Sequence, residues 1–492
     1  MLEYLLVPVL TVYSLVMSAL LVYVMNFMYL SLQGWKQRTR LTRSTPALVL
    51  SEWPKVTIQL PIYNEWYVAA RLIESTIKLD YPGHLIEIQV LDDSNDETVE
   101  LVSQLVQKLQ RRGINISHHH RKDRQGFKAG ALAEGFRTAN GGFIAIFDAD
   151  FIPPRDFLQR MLPHFETDRV AFVQARWGHI NRKYSLLTVI QSIALDAHFA
   201  IDQLARSSAG MIFNFNGTAG IWRKSAIEDA GGWHSTTFAE DLDLSYRVFL
   251  KGWQARYAGE VEVPAELPVS FTAFRRQQFR WARGGLECAI LHLPRILGSK
   301  ISISQKIQAC LHLTGYGLHF LTLALVLLYP LLVVLASEYP SLLAPLGLGL
   351  YFNLLFFAPT LYYSSAQAIL QRRWFAQLPI IILSTLLVSA MVINTAYAAL
   401  QIILHKKVPI DRTPKYGIID RHQAWDHSRY SIKIDSLILV EMALAVFNIW
   451  TAWISGQSSH WFIMIYASLF GLGLILATSL TLFQAFRHRV PT

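Results

Sequence analysis

Cysteine is almost missing from this 492-residue chain, with Cys288 and Cys310 the only two. That leaves no disulfide framework and no zinc cluster to organise a fold. Charged residues are also scarce, at 16% against 52% hydrophobic. No internal repeat or low-complexity tract stands out. The N-terminal apolar run lacks a convincing cleavage site and is too long for the core of a signal peptide, so it is expected to remain as an anchor. The formal charge of +10 does not point to nucleic acid. Much of it flanks apolar segments, where Lys and Arg mark the cytosolic side of a membrane. Gly/Pro-broken polar segments paired across two halves, which a transporter or channel would need, are not seen.

What is present is strongly segregated. Apolar residues gather near the N-terminus and after residue 305, while 35–300 reads like a soluble α/β protein. The first run, 4–32, is long enough to cross a bilayer, and Lys36, Arg38, Arg40, Arg43 and Lys55 follow it. The positive-inside rule puts the middle region in the cytosol and the N-terminus outside. Later apolar runs cover 308–336, 343–363, 377–404, 435–455 and 461–484. If all five crossed, the 405–435 loop would lie outside with Lys406, Lys407, Arg412, Lys415, Arg421, Arg429 and Lys433. Arg372 and Arg373 precede the 377–404 run, so both its flanks are cationic. That run is therefore expected to lie at the interface, giving five crossings, one before the middle region and four after it. Six spans with one violation of the rule is the alternative. The loops around 337–341 and 457–460 carry no Lys or Arg, and Arg487 and Arg489 end the chain inside.

Within the middle region, 56–60 alternates like a strand, 68–79 and 97–111 have helical spacing, and 86–91 is a strand ending in Asp92-Asp93. A short strand is expected at 115–117 and a helix over 128–139. The apolar strand 143–147 ends in Asp148-Ala149-Asp150. This β-α-β-α order with acids at strand ends predicts an α/β domain, an open, mostly parallel sheet with helices on both faces. Ligands bind at the carboxyl ends of the strands in such sheets.

Alternate residues of an extended segment point to one side, so Asp148 and Asp150 project together. Two hard oxygen ligands suit Mg2+ or Mn2+, whose remaining positions go to water and substrate phosphates. Asp92 and Asp93 exceed what capping the next helix requires and fit base or ribose recognition. Lys128, at a helix N-terminus, fits a phosphate. A carboxylate of Glu240-Asp241 fits a general base for an acceptor hydroxyl, with helix capping as the competing role and Asp243 as a plain helix residue. The cation-rich stretch Gln277-Gln-Phe-Arg280-Trp281 offers a guanidinium for a diphosphate and an indole for a sugar face, or a basic membrane-surface helix. His118-His119-His120 alternate faces and cannot all converge on one metal. Glu441 lies within an apolar run. It is either a functional intramembrane acid, such as one lining an acceptor path, or an interfacial Glu.

Taken together, these motifs resemble the family 2 glycosyltransferases of the cellulose synthase type: a double Asp, Asp-x-Asp, Glu-Asp, then Gln-x-x-Arg-Trp before membrane helices. Several strings are similar to the cellulose-synthase-like A (glucomannan mannosyltransferase) group and its bacterial relatives. They include Leu60-Pro-Ile-Tyr-Asn-Glu65, Val90-Leu-Asp-Asp-Ser94, Phe127-Lys-Ala-Gly-Ala-Leu132, Val173-Gln-Ala-Arg-Trp177, Phe215-Asn-Gly-Thr-Ala-Gly-Ile-Trp222 and Arg412-Thr-Pro-Lys-Tyr-Gly417. The likeness covers roughly 50–435.

The resemblance implies a GT-A catalytic domain at 36–265 between a membrane helix at 1–35 and a membrane region at 306–485. The Gln-x-x-Arg-Trp motif would lie on interfacial helices at 266–305. It implies nucleotide contacts from Asp92 and Asp93 and a diphosphate contact from Lys128, with Gln277, Arg280 and Trp281 holding the diphosphate and positioning the acceptor. Asp148 and Asp150 would hold phosphates and a Mg2+ or Mn2+ ion, and Asp241 would be the base of an inverting transfer giving a β-linkage. Glu240, Trp177 and Thr413 are candidates on the acceptor side, and 405–434 resembles the family's gating loop. The usual Thr-Glu-Asp reads Ala239-Glu240-Asp241, which keeps the base and loses one hydroxyl. The expected donor is UDP-glucose or GDP-mannose, with membrane lipids around the helices and no nucleic acid partner. The acceptor is a growing β-glycan, as in a cellulose- or mannan-like synthase. The alternative is a membrane lipid such as diacylglycerol receiving a single hexose. The expected location is the plasma membrane, with the catalytic domain cytosolic.

Overall fold

The computed structural model describes residues 2–41, 52–343, 348–406, 413–423 and 437–487. Arg43, Lys407, Arg412, Arg429, Lys433 and Arg489, and part of the 343–363 run, lie outside the described residues.

Seven strands form one sheet in the order β3-β2-β1-β4-β6-β5-β7. They are β1 (Val56–Ile62), β2 (Ile86–Asp92), β3 (Ile116–His120), β4 (Phe143–Ile146), β5 (Val170–His179), β6 (Gly220–Arg223) and β7 (Gln254–Ala265). β1, β2, β3 and β4 pair in parallel, as do β5 and β7, while β6 runs antiparallel between β4 and β5. The expected mostly parallel sheet is therefore observed. The strands up to Phe147 fall where the apolar pattern put them.

The sheet is covered on both faces, which is why its central strands are almost continuously apolar. Ala145 on β4 and Phe147 just after it face one core, shared with Leu72, Ile73, Val102 and Val106 of the Ala69–Thr76 and Thr98–Gln110 helices. Ile144 and Ile146 face the other, shared with Leu132 of the Phe127–Thr138 helix and with Leu244 and Val248 of the Glu240–Leu250 helix. The buried polar residues on β1 have cross-strand partners. Gln59 donates to Gln89 at 3.0 Å and Thr57 to Glu87 at 2.6 Å, which offsets part of the desolvation cost of burying them.

Five helical stretches among the described residues are long and apolar enough to cross a membrane: Tyr4–Leu41, Gly317–Glu338, Trp374–Ile403, Leu437–Gln457 and Trp461–Phe486. This is a membrane protein with an α/β domain set between apolar helices. The expected 308–336 run is interrupted, with one helix ending at Leu313 and the next starting at Gly317. Val9, Tyr13, Met17, Leu325, Leu332, Ala467 and Leu474 form the shared core of the bundle, while Leu439, Val446 and Trp453 stay exposed, as lipid-facing residues do.

The 30-residue Trp374–Ile403 helix is tied to the α/β domain at its start and to the Phe271–Gly298 helix at its end. At its start, Arg372 pairs with buried Asp196, and Arg182 donates to Gln377 at 2.9 Å. At its end, Arg283 donates to Gln401 at 3.2 Å and to the Lys406 carbonyl at 3.0 Å.

Candidate active site

A cavity of about 930 Å³ opens where the carboxyl ends of the strands converge. Tyr63 follows β1, Asp93 follows β2, Asp148 and Asp150 follow β4, Trp177 lies in the last turn of β5, and Glu266 follows β7. The far wall comes from Gln277, Arg280 and Trp281 of the Phe271–Gly298 helix, and the roof from Thr413 and Lys415. Of the residues expected from sequence, Asp93, Lys128, Asp148, Asp150, Trp177, Glu240, Asp241, Gln277, Arg280, Trp281 and Thr413 all line this one space.

Asp92 does not line the cavity. Its buried carboxylate accepts from Ser94 N–H at 2.9 Å and pairs with His118 Nε2 at 2.9 Å, tying β2 to β3. Burial alone would raise its pKa, but the hydrogen bonds from His118 and Ser94 hold it below the usual carboxylate range. His119 turns instead to Ser117, at 2.8 Å, and His120 to the Ser94 carbonyl, at 3.0 Å. His119 points away from His118 and His120, whose ring centres lie 6.1 Å apart on one face, as strand alternation requires.

Asp93 is held at the cavity by Arg121, whose Nε and NH2 donate to its two oxygens at 2.7 and 2.6 Å. Beside it, the Arg124 guanidinium lies 3.3 Å from the Tyr63 ring centre, a flat cationic and aromatic surface suited to a base.

Lys128 is the electrostatic centre. Its ammonium lies 2.6 Å from Asp148 Oδ1 and 3.7 Å from Glu240, and it donates to the Gly217 carbonyl at 2.9 Å. Burial works against that charge, but Asp148 and Glu240 outweigh it and raise the lysine's pKa. Gly217 adopts φ +76°, and a Cβ there would meet Asp241 Oδ2 at 3.2 Å and Lys128 Nζ at 3.3 Å. Glycine thus permits both the turn and the close approach. Burial, and next the charge of Glu240, push Asp241 up to about 7, the range in which a general base works best at neutral pH.

Asp148 and Asp150 present two carboxylates to the cavity, and among the described residues no group of three or more His, Cys, Asp or Glu side chains makes a closed metal cage. Two hard oxygens on an open cavity fit Mg2+ or Mn2+, which rely on substrate phosphates for the rest of their coordination. Burial raises the Asp148 pKa, with Lys128 opposing it.

A family profile, glycosyl transferase family group 2, matches residues 143–404. The chain belongs to that family. It is 42% identical over 269 residues to glucomannan 4-beta-mannosyltransferase 1 of Oryza sativa subsp. japonica, covering 54% of this chain and 52% of that protein. It is 45% identical over 239 residues to glucomannan 4-beta-mannosyltransferase 9 of Arabidopsis thaliana, covering 48% and 45%. The chain spans about half the length of the curated relatives it matches. Mannosyltransferase PcManGT from Pyrobaculum calidifontis, solved with GDP-Man and Mn2+, shares the fold at a TM-score of 0.53 and 20% identity. That match covers 80% of this chain and 99% of the other.

Two residues of this family 2 site, Arg121 and Glu266, were not picked out from sequence, and Lys415 was seen only as part of the segment that resembles the gating loop. Arg121 orients Asp93, Lys415 reaches Asp150, and Glu266 binds the segment that carries Lys415. Glu266 obeys the same rule as the acids that were found, since it follows a strand, but β7 itself had not been recognised. Asp243 is more than a plain helix residue: it pairs with His292 at 2.9 Å and Arg247 at 2.8 Å in a buried cluster behind Asp241.

Proposed function

We propose that this protein is an inverting β-mannosyltransferase that moves mannose from GDP-mannose to a growing β-glycan, with Mg2+ or Mn2+ held by Asp148 and Asp150. The observation that carries the reading is the single cavity in which Asp241, two metal-type carboxylates and the partly buried cations Lys128 and Arg280 meet. The mannosyltransferase relatives in rice and Arabidopsis favour mannose, and the GDP-Man held by the Pyrobaculum enzyme favours guanosine diphosphate as carrier. Asp93, clamped by Arg121, and the Tyr63–Arg124 surface take the base, while Lys128 and Arg280 face the diphosphate. The ion supplies further charge neutralisation for the leaving diphosphate when bound.

Asp241 removes the proton from the attacking hydroxyl of the acceptor. The freed oxygen bonds to the anomeric carbon as the bond to the diphosphate oxygen breaks, and GDP departs with that electron pair. Attack opposite the leaving group inverts the centre once, giving a β-linkage from an α-linked donor. Lys128 holds Asp148 in place and, with Arg280, favours the charge that accumulates on the diphosphate.

The Trp374–Ile403 helix bears on where the site lies. It is roughly 45 Å long at 1.5 Å per residue; Arg372 just before it contacts Asp196 and Gln377 in its first turn contacts Arg182, while Ile402 in its last turn and His405 and Lys406 beyond it line the cavity. These contacts, with the cationic flanks at both ends, support a helix that lies along the interface, although its length and hydropathy equal those of a span. The active site then faces the cytosol, and the membrane is the plasma membrane.

Offered radiolabelled GDP-mannose and UDP-glucose in parallel with Mn2+, the purified protein is expected to incorporate mannose, and EDTA or Asp150→Asn is expected to stop it. Incorporation from UDP-glucose alone would overturn the donor assignment.

A further inference from the structure

The 413–418 segment is bound into the active site through one acid that the transfer chemistry does not use. Glu266 is 2% exposed, and all four of its polar functions are engaged. Its N–H donates to the Asp150 carbonyl at 3.3 Å. Its own carbonyl accepts from Lys415 Nζ at 2.7 Å. One carboxylate oxygen accepts the Tyr416 N–H at 2.9 Å, and the other meets Arg71 at 3.3 Å. Val269, Tyr416 and Ile418 pack beside it, and Gly417 turns the chain with φ +71°, where a Cβ would meet the Tyr67 carbonyl at 3.0 Å. Thr413 is bound independently by Arg280, at 2.6 Å.

Seated this way, Lys415 is 7% exposed and its ammonium is paired with Asp150 Oδ2. A buried ammonium requires such a partner. A divalent ion on the same carboxylate would bring two positive charges close to a third in a poorly solvated space, so ion and lysine compete for it.

We infer that Glu266 is a positioning residue that seats the 413–418 segment over the active site, and that Lys415, held there, occupies Asp150 until a divalent ion displaces it. The inference rests on the reading of Asp150 as a metal ligand. By linkage, whatever the ion does to the segment, the segment does to the affinity for the ion.

The test uses the full-length protein without donor, Mn2+ alone as probe, and electron paramagnetic resonance to count free Mn2+. Lys415→Met is expected to bind Mn2+ more tightly, on the order of tenfold. Glu266→Gln is expected to shift affinity in the same direction by a smaller factor, although Glu266 touches no ion. Damage to the site would instead weaken binding in both variants. In the wild type, saturating Mn2+ is expected to speed proteolytic cleavage near 413–423. Mn2+ bound with unchanged or weaker affinity in both variants would overturn the inference and leave the metal reading standing. Failure of Mn2+ to bind wild type and both variants, or binding undiminished in Asp150→Asn, would overturn the metal reading and the inference with it.

Discussion

Asp241→Asn is expected to lower kcat for mannosyl transfer by roughly a hundred- to ten-thousandfold, the range general-base catalysis contributes. GDP-mannose should still bind, because Asp241 faces the acceptor side of Lys128 rather than the base pocket at Asp93. The pH profile provides a second check. Burial and the neighbouring Glu240 place Asp241 at about 7, and only the deprotonated form accepts a proton. The kcat/KM of the wild type should therefore rise with pH through an acid limb near that value, because this ratio reports the free enzyme. Glu240→Gln removes the negative charge that raises the Asp241 pKa, so its limb should move to lower pH. A limb that stays in place would remove Glu240 from the account. Full turnover in Asp241→Asn would remove the base.

Glu441→Gln is expected to destabilise the membrane region by about 3–5 kcal/mol, the usual effect of breaking a buried ion pair from one side. Glu441 is fully buried in the Leu437–Gln457 helix and lies 2.7 Å from Arg275 of the Phe271–Gly298 helix, itself 5% exposed. Thr478 donates to Glu441 at 3.5 Å, and Asn394 donates to the Arg275 carbonyl at 3.0 Å. Two helices of the bundle and the Trp374–Ile403 helix thus converge on the helix that carries Gln277, Arg280 and Trp281. Neutralising Glu441 leaves a guanidinium buried without its counter-charge. Replacing both residues with methionine should recover much of the stability, because the desolvation penalty then disappears from both sides. Thermal unfolding in lipid–detergent micelles checks this. A single variant as stable as wild type would show that the pair is not structural.

Much of the site was legible because its chemistry sits at strand ends. Asp93, Asp148 and Asp150 each terminate or follow an apolar run whose period is visible in one sequence, and the parallel sheet brings those ends together. Helical pattern likewise exposed Lys128 and the Glu240-Asp241 pair. What stayed hidden depends on contacts distant in sequence. Asp92 reads as the twin of Asp93, yet a strand alternates its faces, and the residue before the turn points inward to His118. Glu266 carries no local mark, since its partners come from positions 71, 150, 415 and 416. Glu441 was visible as an acid in an apolar run, but not as the partner of Arg275, 166 positions away. For the Trp374–Ile403 helix two sequence signals disagree: its hydropathy is that of a membrane span, while the cations at its two ends argue for the same side.

The central claim is transfer of mannose to a β-glycan, and the most direct test follows the product. Purified full-length protein in lipid, with Mn2+ and radiolabelled GDP-mannose, is incubated and then divided by organic extraction and ethanol precipitation. The account predicts counts in the ethanol-insoluble fraction that a β-mannan-specific endoglycosidase releases. Counts that extract into chloroform–methanol, with none precipitating, would instead identify a glycolipid product and contradict it.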